Sequence, residues 1–135
     1  MLDFISSQTR EIFSKCIHRY AKKEKADEQT TALMLFLKGE GESREVGYKI
    51  CLNHVPAYEV GIMDVLGVKI DFKGYSLFVP PQIKKILEGF EVELGSNDVE
   101  VCVYLDREED DEVVYFLYCK KVLIKKFALD SVIKI

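Results

Sequence analysis

The chain has 135 residues, is 48% hydrophobic and 11% aromatic, and carries 19 Lys plus Arg against 23 Asp plus Glu, for a net charge of −4. That length fits one domain, residues 1–135, with a core of its own; the composition excludes a disordered chain, and no apolar run approaches a membrane span. The mildly acidic balance speaks against nucleic acid as a partner, because phosphates favour concentrated positive charge.

Met1-Leu2-Asp3-Phe4-Ile5 has no basic segment ahead of an apolar stretch, so no secretion signal is expected. Phe4-Ile5 reads as a short opening strand, and Ser6 or Ser7 as an N-cap. From Gln8 to about Glu24, Ile12, Phe13, Cys16, Ile17 and Tyr20 recur at helical spacing. Lys22 and Lys23 fall in the last turn, where they complement the helix dipole. Thr31 to Lys38 is nearly all apolar and short, which predicts a central strand covered on both faces. Gly39-Glu40-Gly41-Glu42-Ser43 breaks it.

Glu45 to Leu52 alternates, with Val46, Tyr48, Ile50 and Leu52 on one face and Gly47, Lys49 and Cys51 on the other. Asn53-His54-Val55-Pro56 reads as a loop. Tyr58, Val60 and Ile62 suggest another strand, although Tyr58 to Leu66 also fits a short helix. Val68 to Phe72 and Tyr75 to Val79 predict a hairpin turning at Lys73-Gly74. Pro81 suits a helix start, with Ile83, Ile86 and Leu87 as the buried stripe of a short helix closed by Gly89. Phe90, Val92 and Leu94 alternate with Glu91 and Glu93, as in a strand, and Gly95-Ser96-Asn97-Asp98 turns the chain.

Val99, Val101, Val103 and Leu105 predict the apolar face of the next strand, with Glu100, Cys102 and Tyr104 pointing away. Asp106 to Glu112 is an acidic turn. Val113 to Cys119 is apolar on both faces, Val122-Leu123-Ile124 reads as a final strand, and Phe127 to Ile135 as a strand or a short helix. No internal repeat is visible. The sum is an α+β fold: a mostly antiparallel, curved sheet with one long N-terminal helix and one short helix.

This ordering resembles the A-type iron–sulfur carriers, the HesB/IscA-like family. Leu35-Phe36-Leu37-Lys38-Gly39-Glu40-Gly41-Glu42-Ser43 is similar to that family's strand and glycine loop. Gly74-Tyr75-Ser76-Leu77-Phe78-Val79-Pro80-Pro81 resembles its strand running into a mini-helix, and Leu87-Glu88-Gly89-Phe90-Glu91-Val92 the exit to another strand. The family's cluster ligands are one cysteine in the glycine loop and a C-terminal Cys-Gly-Cys. Here the loop position is Glu42 or Ser43 and no Cys-x-Cys exists. The resemblance therefore implies a HesB-like scaffold without cluster-binding residues, and no cofactor.

Four cysteines without C-x-x-C spacing read as reduced thiols of a cytoplasmic protein. Cys51 and Cys102 fall on the more polar faces of their strands. If those strands are neighbours, the thiols converge, with His54 and Cys119 as further soft ligands for a metal site. Cys16 and Cys119 otherwise read as core. His54 has no evident acid or nucleophile beside it, so it makes a poor general base, and His18 reads as structural. The acidic turn lacks the spacing of a calcium loop, and the Gly39-Glu40-Gly41 loop lacks the following Lys-Ser/Thr of a phosphate cradle. The expectation is a non-catalytic protein that binds a protein partner or itself through a sheet edge or the C-terminal hairpin. The alternative is an iron–sulfur or metal carrier with a non-standard cysteine site.

Overall fold

The computed structural model describes residues 7–67, 79–106 and 112–127. The expected opening strand at Phe4-Ile5, most of the Val68 to Val79 hairpin, the interior of the acidic turn and the segment after Phe127 lie outside the described residues. The elements are α1 (Ser7–Glu24), β1 (Ala32–Lys38), β2 (Glu45–Leu52), β3 (Val55–Val60), α2 (Ile62–Leu66), α3 (Val79–Leu94), β4 (Val99–Leu105), β5 (Val113–Cys119) and β6 (Val122–Phe127). The strands form one open sheet, ordered β3-β2-β1-β4-β5-β6, with every neighbouring pair antiparallel. The α+β class and the central place of β1 agree with the sequence.

The helices share one face of that sheet. Phe13, Cys16, Ile17 and Tyr20 of α1 and Ile83 and Leu87 of α3 pack on Leu33, Leu35, Tyr48, Ile50, Val101, Val103, Tyr115 and Leu117. These are the alternate strand positions that period-two patterning assigns to one side. No described helix is long and apolar enough to cross a membrane.

Three expectations are corrected. First, α3 does not close at Gly89: it runs to Leu94, so the strand expected over Phe90 to Leu94 is helix, as is the exit segment of the family resemblance. Ile83, Ile86, Leu87, Phe90 and Leu94 all pack on the core, while Val92, the middle position of the apparent alternation, is 85% exposed. The helix stops at Gly95, whose positive φ of 62° lets Ser96 N–H reach Glu91 C=O at 3.2 Å. Second, Tyr58 to Leu66 is neither one strand nor one helix. Gly61 separates β3 from α2, its N–H donating to the Asp64 carboxylate at 3.1 Å. Third, Asn53-His54 alone makes the turn, both at positive φ, and Val55-Pro56 already belongs to β3. Proline is tolerated there because β3 is an edge strand.

The chain also repeats in space what it does not repeat in residues. A helix followed by a three-stranded meander occurs twice, α1-β1-β2-β3 and α3-β4-β5-β6. Both meanders end in a two-residue turn at positive φ, Asn53-His54 and Lys120-Lys121. Both then skip one residue of the edge strand, Ala57 in β3 and Ile124 in β6, at the same distance from the turn. The pairing of β1 with β4 is symmetric about Met34↔Cys102, so a pseudo-twofold axis passes through the sheet there. The helix ends match as well: Lys25 at φ 54° and the Ala26 N–H to Ala21 C=O bond of 2.8 Å repeat the Gly95 stop.

Candidate functional site

The described helices lie on one face, and the other face of the sheet has an apolar patch of its own. Ala32, Met34, Cys51, Cys102 and Tyr104 form its buried centre, with Phe36, Val114, Phe116 and Tyr118 around them. No described helix contributes to this patch. The faces of β2 and β4 expected to be the more polar are thus apolar where Cys51 and Cys102 sit. Lys49 and Glu100 on the same faces masked this in sequence.

Cys51 and Cys102 are brought together across β1. Cys51 pairs with Ala32 and Cys102 with Met34, so the two thiols sit on the same face to either side of β1, near enough to perturb each other's ionisation. The neighbouring Cys51 thiol and burial together push the Cys102 thiol up. With β1 between them, their Cα atoms stand roughly two strand spacings, about 10 Å, apart. That exceeds the roughly 7 Å a disulfide can bridge. Cys119 shares its alternation with Tyr115 and Leu117 and so lies on the helix-bearing face. It is half-buried, not core. Cys16 is fully buried under α1, where burial pushes its thiol up to about 12. The four candidate metal ligands therefore do not gather, and among the described residues no three His, Cys, Asp or Glu side chains are placed to hold an ion.

His54 has a partner the sequence did not reveal. The β2–β3 turn is pinned by His54 N–H donating to Thr30 C=O at 3.2 Å, and the imidazole Nδ1 lies 2.9 Å from the Tyr104 hydroxyl. The rings are 5.5 Å apart. Tyr104 in turn meets Phe116 edge-on at 4.9 Å and 69°. Beside this chain of rings the open face sinks into a cleft of about 700 Å³. Gln29, His54 and Tyr104 line one side, Phe116, Tyr118 and Lys126 the other, and Leu105, Asp106 and Val114 complete the wall. The Lys126 ammonium stands 5.6 Å over the Phe116 ring. His18, by contrast, is a helix-surface group 3.0 Å from Glu28.

The two sheet edges differ. β3 carries Pro56, which removes a donor from the outer edge, and an ion pair of 2.7 Å joins its Glu59 to Lys38. β6 has no proline, and its Val122, Leu123 and Ile124 are 62%, 49% and 45% exposed. Lysines frame them: Lys120 and Lys121 in the turn, Lys125 over the rings of Phe90 and Phe127, and Lys126 over Phe116. Searches of protein-family models, curated proteins and solved structures found no match to this chain.

Proposed function

We propose that this protein is a non-catalytic binding module whose working surface is the β5–β6 hairpin and the outer edge of β6. The observation that carries this reading is the run Val122-Leu123-Ile124, three consecutive apolar side chains exposed on a terminal strand. An edge strand offers unpaired N–H and C=O groups to another extended chain. Natural edges are usually blunted by proline, charge or a bulge. Both edges here have a bulge, yet only β3 has the proline. The partner that fits β6 is an extended segment of a protein, or a second copy of this chain. Its apolar residues cover Leu123 and its neighbours, and its acidic residues face the four lysines of the hairpin.

The chemistry of the remaining groups supports a binding role over a catalytic one. His54 has the Tyr104 hydroxyl as its polar partner, and burial holds that phenol well above its usual range. A phenol held that high does not exchange its proton near neutrality. The test is affinity capture and sedimentation with the native chain, with Leu123→Lys, and with Val55→Lys on the opposite edge. Partner or self-association should be lost in Leu123→Lys and kept in Val55→Lys, with circular dichroism unchanged in both. A native chain that stays monomeric and captures nothing, or a Leu123→Lys variant that binds as well as the native chain, overturns the reading.

A further inference from the structure

The cleft beside His54 shares only Lys126 with the edge-binding role, and the internal repeat shows what is particular about it. Its counterpart in the first half is filled by the protein itself. There Phe36 takes the place of Tyr104 and Gly47 the place of Val114. The Phe36 ring lies so close over Gly47 that an added Cβ would come within 2.5 Å of it. The Lys49 ammonium caps that ring at 4.8 Å, and Glu59, which stands where the second half has Lys126, closes the rim through its 2.7 Å pair with Lys38. In the second half the ring has turned away. Tyr104 leans onto His54, Val114 occupies the position under the missing ring, and Lys126 sits over Phe116. The same fold position is thus a plugged surface on one side of the axis and an open cleft on the other.

We propose that this cleft is a binding site for a small planar aromatic carboxylate. Its volume lies within the usual range for small-molecule sites, which pair apolar walls with a few fixed polar groups. Tyr104, Phe116 and Tyr118 supply flat apolar wall for a ring. Lys126 supplies the charge that a carboxylate needs. His54 and Gln29 supply hydrogen-bonding groups for a ring substituent, and His54 is held by its backbone bond to Thr30. Among the described residues, one ammonium and one carboxylate, Asp106, face the cleft, and Asp106 already interacts within the protein. That balance favours a monoanion over a phosphate dianion.

The experiment is a titration of the native chain with 4-hydroxyphenylacetate, followed by amide chemical shifts, with p-cresol and phenyl phosphate as comparisons. Shifts should cluster at His54, Tyr104, Phe116, Tyr118 and Lys126, and the carboxylate should bind more tightly than either comparison. Lys126→Glu should weaken it at least tenfold, about the loss of one charge-assisted hydrogen bond. Lys125→Glu, on the other face of β6, should leave it unchanged. Shifts that scatter over the surface or fail to appear, equal binding of p-cresol, or a Lys126→Glu variant that binds as the native chain does would each overturn the assignment. Lys126 is common to both readings, but partner capture by the β6 edge and titration of the cleft are separate measurements, so the two readings fail separately.

Discussion

The two halves of this molecule share a backbone plan and differ in nearly everything they show to the outside. On the helix-bearing face the correspondence extends to side chains: Phe13, Ile17 and Tyr20 of α1 stand where Ile83, Leu87 and Phe90 of α3 stand, and Tyr48 where Tyr115 stands. On the open face and at the edges it dissolves. The first half covers Gly47 with a ring and blunts its edge with proline. The second half leaves a cleft and a bare apolar edge strand. Packing constrains the shared face because neighbours there must interlock, whereas the open face and the edges answer to fewer neighbours. The edge reading falls in the second half, and the cleft reading where the second half meets the β2–β3 turn of the first.

If the halves are equal partners in one core, emptying equivalent positions should cost the same. Ile17 and Leu87 are both fully buried. Ile17→Ala and Leu87→Ala are each expected to lower the unfolding free energy by about 3 kcal/mol, from lost burial and the cavity left behind. Denaturant midpoints with unchanged slopes would confirm this. A Leu87→Ala loss below about 1 kcal/mol beside a full Ile17→Ala loss would mean that α3 is docked more loosely than α1.

A smaller effect separates two ion pairs that cross between the halves. Glu91 of α3 holds Arg44, just before β2, by two bonds of 2.8 and 2.5 Å in a mostly buried setting. Arg10 of α1 holds Glu112, just before β5, by one bond of 2.8 Å with the carboxylate far more exposed. Two-point contact with little solvent is the stronger arrangement, and solvent weakens the other. Arg44→Ala should therefore cost about 2 kcal/mol, and Arg10→Ala no more than about 1 kcal/mol. Equal losses in thermal or chemical denaturation would show that the second tie is reinforced in a way its single bond does not reveal.

Much of this plan could be read before any coordinates, and the failures have physical causes. Alternation marked β2 and β4 because one face of each is buried under helices, and short apolar runs marked β1, β5 and β6. It misled at Phe90 to Leu94, where Phe90 and Leu94 satisfy a period of four as well as a period of two, and Val92 only looked like their equal. Gly89 encouraged the error, yet nothing lies within 4 Å of where its Cβ would be, so it is an ordinary exposed helix residue. The repeat stayed hidden because its equivalents rarely share residue type and because the loops differ in length, so no fixed period runs through the chain. The meeting of Cys51 with Cys102 was anticipated, though their strands flank β1 instead of touching. The His54–Tyr104 pair was not anticipated, since it joins a turn of one half to the central strand of the other and leaves no local signal.

The finest probe of the comparison is the pair Tyr48 and Tyr115. Both are buried beneath the helices at equivalent positions, and neither hydroxyl has a hydrogen-bond partner among the described residues. An unpaired buried hydroxyl costs stability, so Tyr48→Phe and Tyr115→Phe should each raise the unfolding free energy by about 1 kcal/mol near neutral pH. The alkaline limb gives an independent check. Burial pushes both phenols above the ordinary value of 10, so above about pH 10 the unfolded chain gives up its phenolic protons while the native one keeps them. The native state then binds more protons, and stability must fall as pH rises. It is intact below the unfolded value and lost on the way to the folded one. Cys16, raised from 9.0 to about 12, adds a slope of the same sign from lower pH. Each Tyr→Phe variant should remove its own share of the alkaline loss and leave the Cys16 share in place. A variant that is less stable at neutral pH would show that the hydroxyl is satisfied in solution, and a gain in one half alone would mark where the shared core stops being symmetric.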